Sequence, residues 1–433
     1  MTPVEIGLIG FGVLMVLIFL GVHIGFALII SGFLGFAMIG GWSAALTNMA
    51  LIPFEKVNSF HFAVVPFFLL ISAFVSASGM GREIYDFGRS VFGQYKGGLA
   101  IATTAGVAVF SAISGSSLAC CVTFSKIAYP EMKRSGYDEK LALGTICAGA
   151  SMDVMIPPSM AFVIIGILSE LSIGKLFMAG VIPGIVQALG YCVLILIWCT
   201  VKPEAAPPGP KTSIKQKLYD TYKTWPVLFL FALIMGGIYG GLFTAAEAGA
   251  IGAFFTFLIP LLRGQWTKKA LFEALLDTGK TSAMIIVMLI GAFVFNAFLA
   301  VTRISFIASD TIMHLPLPSG IILAILLVIY IVLGCFFDIY ALLILTIPIV
   351  YPTVEAMGYN LIWWSIVMTF ICEIGFIMPP MGLNLNGMRA AIPEIKAVTL
   401  YKAVFPFLIA DMFLLAILAA FPWLSLVLLR YMG

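Results

Sequence analysis

The residues able to do chemistry in this sequence are hydroxyls, amides and carboxylates set inside apolar runs. Ser114, Ser116 and Ser117 surround Gly115 in the middle of one hydrophobic stretch, and Asp338 closes Gly334-Cys-Phe-Phe-Asp338 in the middle of another. Asp153 lies in a segment, 149–159, that ends at Pro157-Pro158-Ser159, and Glu373 opens a segment, 373–386, that contains Pro379-Pro380, Asn384 and Asn386. Proline removes a backbone donor and clashes with the preceding turn, so each proline pair leaves carbonyls free. Inside hydrocarbon such a break survives only where it lines a cavity or a site. A freed carbonyl beside a hydroxyl is a ligand set for a hard cation such as Na⁺. The expectation is two cation cages. One takes Ser114, Ser116 and Ser117 with Gly149, Ser151 and Asp153; the other takes Gly334 and Asp338 with Gly382 and Asn384.

Half-helix N-termini facing the same space favour a carboxylate. Ser159, Asp338, Asn384 and Asn386 are therefore the candidates for holding a substrate. Arg303 ends an apolar span, where it either snorkels to the interface or grips an anion by a charge-assisted pair. Asp153 and Asp338 keep proton coupling open as an alternative, because an acid at membrane depth can carry H⁺. Sodium is favoured because most of the proposed ligands do not titrate. Glu373 reads either as a site residue or as the partner of a lysine near a helix end, and Glu247 as an acid buried between helices.

Other chemistries find no support. His23, His61 and His314 share no metal-ligand spacing, and the seven cysteines show no Cys-x-x-Cys pattern. There is no His-Glu-x-x-His and no phosphate-binding loop. Tyr137-Asp138 has no Gly-x-Gly-Asp to accompany it as an intramembrane protease would require. No enzyme activity and no nucleic-acid partner are expected.

These residues must be positioned by membrane helices. Of 433 residues, 62% are hydrophobic and 10% charged, and the mean hydropathy is +1.13, a surface that water could not solvate. Spans are expected at 6–22, 24–40, 61–79, 139–172, 176–200, 226–242, 245–262, 281–301, 361–388 and 403–429, with surrounding membrane lipid as their solvent. The first run carries Glu5 and no basic residue, so it is expected to be retained rather than cleaved as a signal peptide. The interrupted stretches 98–133 and 319–352 each read as two spans or as one re-entrant hairpin. Segments 82–96 and 265–280 are amphipathic and read as interfacial arms, and the Pro- and Lys-rich segment 202–223 as a connector.

An internal repeat and the distribution of charge decide between these readings. Ile127, Tyr129, Pro130, Gly136, Tyr137, Pro157 and Pro158 all recur 222 residues later, so the chain contains a duplication. If both interrupted stretches are hairpins, loops 82–96, 126–140, 202–223, 263–280 and 389–402 share one side and hold 19 of the 23 Lys and Arg residues. That segregation is the positive-inside pattern, and it places both termini outside the cytoplasm. The first copy carries Lys133-Arg134 where the second has Glu355-Ala356, as expected for copies lying inverted in the bilayer. The expected fold is an all-α polytopic membrane protein with inverted repeats, two re-entrant hairpins and proline-broken helices. Its units would be scaffold helices 1–80, a first repeat 81–172, scaffold helices 173–262, a second repeat 263–388 and a C-terminal helix 389–433.

Several motifs carry a resemblance that covers nearly the whole chain: Ser114-Gly-Ser-Ser117, Met132-Lys-Arg-Ser-Gly-Tyr-Asp138, Ile156-Pro-Pro-Ser159, Leu176-Phe-Met-Ala-Gly-Val-Ile-Pro-Gly184, Thr244-Ala-Ala-Glu-Ala248 and the segment from Glu373 to Asn384. Together they resemble the large membrane subunit of TRAP transporters, the tripartite ATP-independent periplasmic family. The resemblance implies a sodium-coupled, elevator-type importer of organic acids in a bacterial inner membrane. It also implies a small four-helix membrane subunit and a periplasmic substrate-binding protein as partners; no fused small subunit is expected in this chain. Met152-Asp-Val-Met155 and Met378 depart from the family pattern, and so does the absence of proline beside Thr244. Two alternatives stand beside this reading: a stand-alone elevator carrier for dicarboxylates or citrate, and a membrane scaffold or receptor without transport.

Overall fold

The computed structural model describes residues 1–380 and 382–431, with His61 described by its backbone alone. Met381, within the second predicted break, lies outside the described residues. The described residues are helical and include no strand.

Helix α1 spans Pro3–Phe19, started by a reciprocal Thr2–Glu5 capping box. Helix α2 spans Ile24–Val57 and bends at Gly41, whose φ of 79° only glycine adopts without strain. Helix α3 (Val64–Ala77) turns by 65° into α4 (Met80–Phe92). Helices α5 (Gly98–Ser114) and α6 (Ser117–Arg134) form a hairpin, followed by α7 (Glu139–Ser151), a single 3₁₀ turn over Met152–Val154, and α8 (Met160–Ser169). Next come α9 (Ile173–Val201), α10 (Ile214–Tyr239), α11 (Ala245–Leu262), α12 (Lys268–Thr302) and α13 (Ile304–Met313). A second hairpin joins α14 (Ser319–Gly334) to α15 (Ile339–Ala356). After it lie α16 (Leu361–Ile377), α17 (Leu383–Ala391) and α18 (Ala397–Ala420). The order hairpin, helix, prolyl break, helix thus occurs twice, and Pro157-Pro158 and Pro379-Pro380 are both cis. Among the described residues at least seven helices are long and apolar enough to cross a bilayer, so the chain is a polytopic membrane protein.

Some boundaries differ from those read in the sequence. The span at 139–172 is broken within 149–159 as expected, into α7 and α8, where Pro157-Pro158 cannot donate. Segment 265–280 is no separate arm: from Lys268 it continues into the span as α12, because no proline stands between them. Segment 82–96 does form its own helix, because Gly79 leaves the helical region with φ 79°. Glu247 is not buried. It caps α11, taking the N–H of Thr244 at 2.8 Å while the Thr244 hydroxyl takes its own N–H.

The helices pack in two groups. In one, α12 runs along α2, α1 covers α2, and α3 links α12 to α11, on which α10 packs. Small residues set the approach: a Cβ on Gly25 would meet Met288 N at 2.9 Å. In the other, α5, α6 and α7 pack together with α18 and α17, α8 lies on α15, and α16 sits between α14, α9 and α18. Helix α4 bridges the groups through α5 and α10.

Four of the five basic loops meet at one end of the molecule. The connector bonds to the loop after α4 (Gly209 N to Gly93 O, 2.9 Å) and to the start of α7 (Asp138 N to Ala205 O, 2.7 Å). Arg89 pairs with Glu131 at 2.9 Å and Arg263 with Glu83 at 3.0 Å. Lys56, Glu170 and Thr244 line a different place, a cavity of about 790 Å³.

Candidate functional site

The first hairpin and the two breaks converge on a buried polar core, and the second hairpin packs against it at Gly334 while its tip residue Asp338 is exposed. At the first tip, Ser114 ends α5, Gly115 turns the chain in the left-handed region with φ 55°, and Ser116 caps α6, accepting from Ala119 N. Residue 338, the 222-residue equivalent of Ser116, does the same work at the second tip. There Asp338 Oδ1 accepts the N–H groups of Tyr340 (2.9 Å) and Ala341 (3.2 Å) at the start of α15. Both tips therefore end in a side chain that satisfies a helix N-terminus.

Asn384 joins the halves. Its Oδ1 accepts the Ser117 hydroxyl at 2.8 Å, its Nδ2 donates to Cys147 O at 3.1 Å, and its carbonyl accepts from Cys121 Sγ at 3.4 Å. The second break is thereby fastened to the first hairpin and to α7. A second link joins repeat-equivalent residues: Ser151 Oγ donates to Glu373 Oε1 at 3.0 Å across 222 residues. Glu373 also accepts from Gln187 Nε2 on α9, which donates to Tyr191 Oη at 3.2 Å, and Tyr191 donates to Asp411 Oδ2 on α18 at 2.9 Å. Among the described residues no lysine pairs with Glu373.

The first cage as read from sequence is brought together in part. Ser117 Oγ also donates to Ala150 O at 2.9 Å, and Asp153 lies buried against Ser117. Among the described residues Ser114 Oγ and Asp153 Oδ1 are buried oxygens without a hydrogen-bond partner. Ser114 ends α5 and Asp153 lies in the 3₁₀ turn packed on α5; a hydroxyl and a carboxylate oxygen left unpaired are hard ligands, so the donor chemistry fits Na⁺. Gly149 contributes its carbonyl to the cap of α7, accepting from Met152 N. At the second tip the fit is looser: Asp338 Oδ1 is engaged as a cap, Gly334 packs against Gly375, and Gly382 caps α17 by backbone alone. Asn384 has both side-chain atoms engaged.

The substrate candidates scatter. Ser159 is buried and donates to Val154 O at 2.5 Å inside the first break. Asn386 is an exposed residue of α17. Arg303 is exposed at the junction of α12 and α13, with φ 56°, outside the polar core.

Gln187, Tyr191 and Asp411 were not singled out from the sequence. The signal was present for Asp411, the one charged residue between Lys402 and Arg430 in an apolar run, since an acid in a span is a functional candidate by default.

Residues 11–424 match the model of the family described as Tripartite ATP-independent periplasmic transporter, DctM component. The chain belongs to this family. Among its relatives, the C4-dicarboxylate TRAP transporter large permease protein DctM of Pseudomonas aeruginosa is 31% identical over 90% of this chain and 91% of its own length. The 2,3-diketo-L-gulonate TRAP transporter large permease protein YiaN of Escherichia coli is 27% identical over 98% and 99%. The sialic acid TRAP transporter large permease protein SiaM of Vibrio cholerae is 28% identical over 95% and 96%. In fold, the chain resembles the crystal structure of the YdaH transporter of Alcanivorax borkumensis, described as having an unusual topology. The TM-score is 0.63 over 87% of this chain and 88% of that one, at 14% identity. As a TRAP large permease, the protein is a transporter subunit and not an enzyme.

Proposed function

We propose that this TRAP permease imports an organic acid by sodium symport across a bacterial inner membrane. A periplasmic binding protein delivers the substrate, and a small four-helix membrane subunit completes the transporter. The observation that carries the reading is the interlocked core, where Ser117, Asn384, Ser151 and Glu373 tie the first hairpin and both breaks into one unit, with the second hairpin packed on it through Gly334 and Gly375. A unit so tied moves as a body, which is what an elevator requires, with α1, α2, α3, α10, α11 and α12 as its frame. The repeated element order supports inverted copies with re-entrant tips. The relatives named above are described by carboxylate-bearing substrates, which supports an organic acid here.

The orphaned Ser114 and Asp153 oxygens support a sodium site at the first tip, with Ser116, Ser117, Gly149 and Ser151 around it. Gly334, Asp338, Gly382 and Asn384 form its counterpart. When bound, Na⁺ would supply positive charge beside an anionic substrate. Ser159, Asp338, Asn384 and Asn386 remain our assignment for the substrate side, with Arg303 as the outer cation.

The test is uptake into proteoliposomes holding the chain with both partners. An imposed Na⁺ gradient at equal pH should drive accumulation, and a pH gradient without Na⁺ should not. Ser116→Ala should weaken the sodium dependence, and Asp338→Asn should abolish coupled uptake. Uptake that follows the proton gradient alone would refute sodium coupling. Robust uptake by the isolated chain would favour a stand-alone carrier.

A further inference from the structure

The Glu373–Asp411 region is a built polar site that neither hairpin tip explains. Glu373, Gln187 and Asp411 are all at least nine-tenths buried, with exposures of 1%, 1% and 0%. They come from three helices, α16, α9 and α18, and are linked through Tyr191. Every donor in the cluster is already spent. Gln187 Nε2 serves Glu373 and Tyr191, the Tyr191 hydroxyl serves Asp411, and the Ser151 hydroxyl serves Ala148 O and Glu373. Among the described residues three acceptor oxygens remain without a donor: Glu373 Oε2, Asp411 Oδ1 and the amide Oε1 of Gln187.

No basic side chain is paired with either carboxyl. The ion pairs among the described residues involve Asp86, Glu83, Glu131, Glu273 and Asp310, and none reaches Glu373 or Asp411. Two buried carboxylates without a basic partner are costly unless a cation or a proton joins them. An amide carbonyl left unpaired beside them is a neutral hard-oxygen ligand, and a proton on one carboxyl would satisfy only one of the remaining acceptors. Three free oxygens, two of them from carboxyl groups, are hard ligands of the kind a cation such as Na⁺ takes.

We propose that Glu373, Asp411 and Gln187 form a further sodium-binding site, distinct in its ligands from the two hairpin-tip cages and joined to the first of them through Ser151. Its position gives it a role. Glu373 precedes the second break by less than two turns, Ser151 ends the helix before the first, and α9 and α18 brace both. An ion there draws α9 and α18 onto the two breaks and holds the mobile unit together. The assignment rests on this cluster alone and survives if the tip cages prove wrong.

The experiment uses the full chain in lipid nanodiscs, with radioactive Na⁺ as the only probe and choline as the replacement cation. Wild type, Asp411→Asn, Glu373→Gln, Gln187→Leu and Gly279→Ala are compared at saturation. Asp411→Asn, Glu373→Gln and Gln187→Leu should each lose one bound Na⁺ per chain, and Gly279→Ala, where a Cβ meets nothing within 4 Å, should lose none. Replacing choline by Na⁺ should raise the unfolding temperature of wild type and raise that of Gln187→Leu by less, a comparison that stands even if an acid variant fails to fold. Unchanged sodium stoichiometry in the variants that fold, or equal Na⁺ stabilisation of wild type and Gln187→Leu, would overturn the site and leave a proton as the shared cation.

Discussion

Asn384 shows how one side chain can hold two halves of a transporter together. Its amide both accepts and donates, so a single residue satisfies the Ser117 hydroxyl and the Cys147 carbonyl. Asparagine alone among small side chains has both functions on one planar group. Asn384→Ala should therefore destabilise the chain by about 1–2 kcal/mol, since buried hydrogen bonds between membrane helices are worth modest amounts each. The check is denaturant unfolding in detergent. Asn384→Asp should keep the bond from Ser117 and lose the one to Cys147; stability equal to wild type in both variants would remove the clasp. From the sequence, Asn384 was legible as a polar residue beside a proline pair. That its amide spans two repeats was not, because its partners lie 267 and 237 residues away. The same limit hid Gln187 and Tyr191, whose types are ordinary in a helix until Glu373 and Asp411 are placed beside them.

At the scale of elements, the breaks follow from local chemistry. Ser114-Gly-Ser-Ser117 and Gly334-Cys-Phe-Phe-Asp338 end one helix and cap the next, and each proline pair stops the helix before it. Glycine then permits the close contact between α14 and α16. A Cβ on Gly375 would lie 2.5 Å from Gly334 O, and both are backbone atoms that cannot rotate away. Gly375→Ala should push the second hairpin off the broken helix at a cost of about 1–3 kcal/mol. Gly279→Ala is the control, because nothing lies within 4 Å of a Cβ there. Measured unfolding temperatures should fall for the first and hold for the second; equal values would mean that the contact is loose. The continuity of α12 belongs to this scale as well. Charge made residues 265–280 read as a surface arm, yet nothing in the chain interrupts the hydrogen-bond ladder from Lys268 to Thr302, and the helix runs on.

For the whole molecule, basic loops distant in sequence assemble at one end, tied by Arg89–Glu131, Arg263–Glu83 and the connector's backbone bonds. If the copies are inverted, a lone cysteine replacing Met357 should react with an impermeant maleimide from the periplasm, and one replacing Ser135 should not. Equal labelling from that side would sink the inverted arrangement. The sequence by itself determined the helical class, the duplication, the places where helices break and the segregation of charge. All of these rest on short-range chemistry: hydropathy over one span, proline's missing donor, glycine's dihedral freedom and the cost of moving a charge through lipid. Only the tertiary structure decided which polar atoms meet. Among the described residues Glu373 has Gln187 and Ser151 for partners and no lysine, Glu247 caps a helix in the open, and Arg303 stands outside the core. Pairing of that kind is set by how helices hundreds of residues apart pack, and no spacing along the chain encodes it.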